Sequence, residues 1–221
     1  MASQYQIDIQ MSASTVQALQ QGGFQLYGFK AVQTGQSGAA PVVWLTSNQI
    51  LMSTQIVWQE QYQAYISTSQ IIPNGVIVAT AAIDIDLGQT ASVDANGSLI
   101  ATQAGTPSTI SILNQSSSPW TCGVSQLGNG ILNPVCALPL YSNMLDVIAP
   151  VEKVLLMFAA NNVNTGTVIY QSFASGVLVD VTSTQQRAIS FDINNGWAWG
   201  GADWATAVPA NANLAPILIS N

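Results

Sequence analysis

Histidine is missing altogether from the 221 residues, and this absence excludes more than anything present. It removes the commonest general base, the Ser-His-Asp and Cys-His constellations, and every histidine-containing metal site. Charge is nearly as scarce. Only 6% of residues are Asp, Glu, Lys or Arg, against a usual share of about 25%. The cations are Lys30, Lys153 and Arg187, and ten acids outnumber them for a formal net charge of −7. Phosphate backbones demand clustered Lys and Arg, so nucleic acid is excluded as a partner. Electrostatic docking to anionic lipid is disfavoured for the same reason.

No apolar run approaches the ~18 residues of a membrane helix. Met1 to Gln10 has neither the basic start nor the apolar stretch of a secretory signal. The expectation is a secreted or cell-surface protein without a recognisable signal peptide, with cytoplasmic storage as the alternative. Convincing helical periodicity is also lacking; Ser14 to Gln20 fits a helical turn or a loop equally well.

What is there is alternation. Ile56, Trp58, Tyr62, Ala64 and Ile66 share one parity, and Gln55, Gln59, Gln61, Gln63 and Ser67 the other, which predicts a half-buried strand over Thr54–Thr68. Pro73-Asn74-Gly75 is a strong turn. Val76–Leu87 alternates in its turn, so the two segments are expected to pair as a long antiparallel hairpin. Tyr5 to Met11, Phe24 to Lys30 and Val42 to Leu45 predict further strands, with Trp44 a core anchor. In the second half Lys153–Ala160, Thr167–Phe173, Gly176–Thr182 and Ala188–Ile193 read as a meander. About twelve strands of ordinary length follow, and the fold class is all-β: an antiparallel β-sandwich, as one large unit or two consecutive lobes. The pattern fails over residues 115–136, where Gly, Ser and Asn gather. That stretch is expected as a connection between an N-terminal lobe (1–114) and a C-terminal lobe (137–221), a single domain being the alternative.

Four sets of residues invite a functional reading. Cys122 and Cys136, the only cysteines, flank the Gly-rich loop. A disulfide there would stabilise by roughly 3 kcal/mol; two buried free thiols are the equal alternative. Asp84, Asp86 and Asp94 are weak calcium candidates, with solvated carboxylates the plainer account. Trp58, Glu60, Tyr62 and Tyr65 fit core and cross-strand packing, with Glu60 out of place on the apolar parity unless it pairs with Lys30 or Lys153 or marks a strand end. Trp197, Trp199, Asp203 and Trp204 put three of the six tryptophans within eight residues of a Gly/Ala-rich tail. Indoles beside Asp and Asn stack sugar rings or sit at membrane interfaces; a tail that plugs the end of the sandwich is the competing account.

In composition the chain resembles small acidic β-sandwich cytolysins and lectins, a likeness of kind that transfers no residue. The expected function is therefore non-enzymatic recognition, lectin-like or membrane-active in the pore-forming manner. Glycan or membrane lipid is the expected partner, homo-oligomers the expected state, and no cofactor is called for. A self-assembling coat, appendage or inclusion component is the alternative, because neutral alternating strands associate at their edges. A hydrolase working with carboxylates alone ranks lower.

Overall fold

A computed structural model describes residues 3–220. In chain order its elements begin with β1 (Gln4–Gln10), α1 (Ala13–Gln21), β2 (Gln25–Gln33), β3 (Ala40–Pro41), β4 (Leu45–Ser47), β5 (Ser53–Ser67) and β6 (Ala81–Ile85). The middle of the chain adds β7 (Gln89–Val93), β8 (Leu99–Thr102), β9 (Ile110–Asn114), β10 (Trp120–Gly128), β11 (Ile131–Pro134), β12 (Cys136–Leu140) and β13 (Leu145–Ala159). The last third holds β14 (Gly176–Asp180), β15 (Gln186–Asp192), β16 (Gly196–Ala198), β17 (Ala205–Val208), α2 (Ala215–Leu218) and β18 (Ile219–Ser220). The all-β class expected from alternation is what forms.

Two sheets share the strands. One runs β16-β15-β1-β5-β10-β12-β3, with β6 on β5 and β11 on β10; the other runs β17-β14-β13-β9-β7-β8, with β2 on β13 and β4 and β18 on β2. The sheets are mixed rather than purely antiparallel, because β1–β15, β7–β9 and β2–β18 pair in parallel. Both sheets draw strands from residues 1–114 and from 137–221. The main core lies between them and also mixes the two halves, as in Ile7, Trp58, Val124, Leu156 and Val179.

The 115–136 stretch, expected as a connection, carries β10, which lies beside β5 from Trp58 to Ser67. Its alternation is hidden because most of its residues are buried, as befits a strand covered on both faces. Its glycines are there for space. A Cβ on Gly123 would come within 2.3 Å of the Cys136 carbonyl oxygen, and one on Gly128 within 2.2 Å of the Trp44 ring.

The hairpin forms with a shorter return strand than expected. β6 pairs antiparallel with β5 from Tyr62–Ile85 to Ile66–Ala81. The chain between them leaves the sheet because Ser67, Ser69 and Thr80 side chains take its hydrogen bonds: Ser67 Oγ donates to Val78 O, and Val78 N donates to Ser69 Oγ. Asn74 stands at the turn with φ +62°, and its N–H donates to Val168 O. Ile77 packs with Val168 and Tyr65 in a small separate cluster.

β2 and the C-terminal half of β13 read as apolar on both parities, and both faces are covered. Leu26, Val32, Val154, Leu156 and Phe158 enter the main core. Tyr27, Phe29, Leu155 and Met157 enter a second cluster, closed by Ile169, Leu214 and Leu218 from irregular chain and α2. The undecided stretch near Ser14 is helix α1. Ser12 caps it by accepting the Thr15 N–H at 3.1 Å, and Leu19 buries its inner face.

Candidate functional site

The centre of the sandwich holds an ion pair within one sheet, which a tryptophan of the other sheet joins by a hydrogen bond. A register shift in β13 between Val151 and Val154 marks a bulge, and Glu152 within it turns inward. Lys30 Nζ donates to Glu152 Oε2 at 2.7 Å, and Trp58 Nε1 donates to the same oxygen at 2.6 Å. The ammonium lies 4.8 Å from the Trp58 ring and 5.8 Å from the Trp44 ring. Burial pushes the Lys30 ammonium below its ordinary range, and the Glu152 carboxylate opposes that push. Glu60, for which a lysine partner and a strand end were the alternatives, accepts a hydrogen bond from Tyr5 Oη at 2.9 Å. Burial, and then that bond, push Tyr5 up to about 12. Lys153 pairs with Asp180 at 3.1 Å. This cluster ties the sheets through buried groups and leaves little surface for a ligand.

The tryptophan tail lies elsewhere, at the end of the sandwich where β13 finishes. Phe158 forms the floor: its ring stacks on Trp197 at 5.4 Å with 8° between the planes, and lies 4.7 Å from Phe191. Trp197 and Phe191 are 4.8 Å apart. The order follows from strand parity, because β15 and β16 pair Phe191 with Trp197, so Phe191, Ile193, Trp197 and Trp199 all turn to one side. With Phe24, Ser175, Asn194 and Asn195 they line an open groove of about 670 Å³. Phe158 is buried, while Trp197, Trp199, Phe191 and Phe24 are half-buried. The indole nitrogens are anchored: Trp197 Nε1 donates to Ser175 O at 3.3 Å and Trp199 Nε1 to Ala202 O at 3.0 Å. The rings therefore pack against the core on one side and present the other to the groove.

The lip of the groove is held by Asp192. Its Oδ1 accepts the N–H groups of Asn194 and Asn195, each at 3.0 Å, and Asn195 Nδ2 at 2.9 Å. These bonds hold its carboxyl below the usual carboxylate range.

Trp204 and Asp203 do not join Trp197 and Trp199. They line a separate recess of about 310 Å³ with Asp180, Thr182, Ser183 and Arg187, and the Arg187 guanidinium covers the Trp204 ring at 4.8 Å. Cys122 and Cys136 are free and buried, and no disulfide forms. Register explains this: Cys122 pairs with Leu138 across β10 and β12, two positions past Cys136, and its thiol points to Asp146 Oδ2 at 3.3 Å. Of the calcium candidates, Asp84 and Asp86 are exposed. Asp84 accepts from Gln63 and Asp94 closes its own turn by accepting from Asn96 and Ser98. Among the described residues no three metal-ligating side chains cluster.

Sequence reasoning located Trp197 and Trp199 but missed Phe24, Phe158 and Ser175, which come from distant parts of the chain. Phe191 and Ile193 were visible as a strand face, without any sign that this face meets the tryptophans. The chain matches no protein-family model, and no curated protein or solved structure is significantly similar to it.

Proposed function

We propose that the protein is a non-enzymatic recognition protein whose aromatic groove binds neutral glycans. The observation that carries this is the groove itself: two half-exposed indoles and three phenyl rings in about 670 Å³, with Ser175, Asn194 and Asn195 at its margin. Aromatic faces take the apolar faces of sugar rings, and amides and hydroxyls take the hydroxyl groups around them. The sugar class follows from charge, because no Lys or Arg lines the groove and nothing there pairs with a sugar carboxylate. Tryptophan fluorescence and calorimetry with cellotetraose, maltotetraose, lactose and diacetylchitobiose test this, with sialyllactose as the acidic control. Saturable binding of a neutral sugar, lost in Trp199→Ala, is expected. No response to any of the four, or preference for sialyllactose, defeats it.

Contact with a lipid surface is a second reading, favoured by a different observation. At the start of β13, Tyr141, Met144 and Leu145 are 57%, 45% and 49% exposed, and residues 95–145 contain no charged side chain. Tyrosine beside exposed aliphatics suits the bilayer interface. Sedimentation with phosphatidylcholine vesicles, compared with Tyr141→Ser and Leu145→Ser, tests it; vesicle binding unchanged by both variants, or none at all, counts against it.

A further inference from the structure

The groove has two sides from opposite ends of the chain. One is the β15–β16 turn with its tryptophans; the other is Phe24, which follows α1 after its Gly22 cap. A side-chain hydrogen bond ties α1 to that turn. Thr15 Oγ1, 1% exposed on α1, donates to Asp192 Oδ2 at 3.1 Å and accepts the Ile193 N–H at 3.4 Å. The other oxygen of Asp192 holds the Asn194–Asn195 lip.

We propose that Asp192 and Thr15 form a latch that positions the groove, one carboxylate setting both the shape of the lip and its distance from the Phe24 side. Neither residue needs to touch the sugar. The affinity part of this inference rests on the glycan reading; the mechanical coupling does not.

The latch is isolated from other titrating groups. α1 and β16 carry no charged residue, the nearest ones on β15 and β1 are Arg187 and Asp8, and the remaining partners are Asn194, Asn195, Ile193 and Ser12, whose Oγ donates to Thr15 Oγ1 at 3.0 Å. Asp192 is ionised at neutral pH, with its carboxyl held low by the turn N–H groups. Acidification through that depressed range takes away its charge and weakens four hydrogen bonds together. The groove is therefore built to loosen in acid and to hold from neutral pH upward.

The experiment has two arms on the intact chain. By NMR, the amides of Asn194, Asn195, Ile193, Thr15 and Phe24 are expected to share one titration midpoint below the ordinary carboxylate range, and to lose it in Asp192→Asn. Movement of the turn amides without Thr15 and Phe24 overturns the latch. For affinity, Thr15→Val is expected to weaken the tightest-binding of the four neutral sugars at least fivefold at neutral pH, while Thr15→Ser retains it and the melting temperatures of both stay close. Wild-type affinity in Thr15→Val overturns it. If none of the four sugars binds, the glycan reading falls, and the NMR arm still decides the latch.

Discussion

One strand, β13, reaches solvent at two ends that differ in kind. At its C-terminal end Phe158 stacks under Trp197, and the surrounding indoles, turn and helix are fixed by hydrogen bonds. At its N-terminal end, roughly 40 Å away along a 15-residue strand, Tyr141, Met144 and Leu145 are exposed aliphatic and phenolic groups. Apolar surface is present at both. At the groove it is concave, aromatic and pre-organised, which suits a ligand of defined shape. At the far end it is a loop tip without charge, which suits a surface of no defined shape. The lesson is that exposure of apolar residues says little until their fixation is known.

The largest effect should leave this contrast intact and damage both ends alike. Glu152→Ala abandons the Lys30 ammonium, which is 1% exposed, and is expected to cost about 3–5 kcal/mol, measured by urea denaturation. Loss of sugar binding out of proportion to the folded fraction would show that the ion pair serves the groove directly.

Phe158→Ala and Trp199→Ala sharpen the contrast within the groove. Removing the buried Phe158 ring should cost about 3–5 kcal/mol. Removing the half-buried Trp199 ring should cost about 1–2 kcal/mol and yet lower sugar affinity at least tenfold. A stability loss for Trp199→Ala as large as that for Phe158→Ala would make it a core residue and remove it from the site. At the far end, Leu145→Ser is expected to change stability by about 0.5 kcal/mol or less, with sugar binding untouched.

Acid should separate the two ends by sign. Burial resists ionisation of Asp8, but hydrogen bonds from Gln186, Gln6 and Gln55 hold its carboxyl below the usual range, and Asp192 is likewise depressed. Depressed groups contribute stability that is complete above the unfolded-state pKa and is lost as pH falls through the folded value. Asp146, in β13 near the far end, is the reverse: burial raises it, with the Cys122 thiol opposing. Its contribution is present below the unfolded-state pKa and lost as pH rises through the raised folded value. Hydrogen exchange followed with pH should show β1 and β15 opening first on acidification, with β9 and the start of β13 protected. Loss of all four together would erase the distinction.

Much of the fold was legible because burial imposes a period. The parity of β5, the Val154–Leu156–Phe158 face and the β5–β6 pairing all follow from alternation, whereas the strand expected over Val42–Leu45 does not form, although Trp44 is buried in the core. Alternation fails where both faces are buried, which is why β10 read as a connection, and strands of two or three residues such as β3, β4 and β16 are too short to show it. The candidate site was half visible. Three tryptophans in eight residues are a local signal, but Trp204 parts from the other two and lies under Arg187 in a separate recess.

By itself the sequence determined which side chains this protein lacks and that its class is all-β. The absence of histidine and the scarcity of charge are properties of composition, and period-two patterning sets side-chain faces whatever the sheet order. Tertiary structure alone decided which faces meet. Parallel pairing of β1 with β15 joins the two ends of the chain, and only that closure brings Thr15 to Asp192 and Phe24 to Trp197. Local propensity contains no information about residues 177 positions apart. The pairing of Lys30 with Glu152, rather than with Glu60, was decided in the same way, by a bulge that turned one side chain inward.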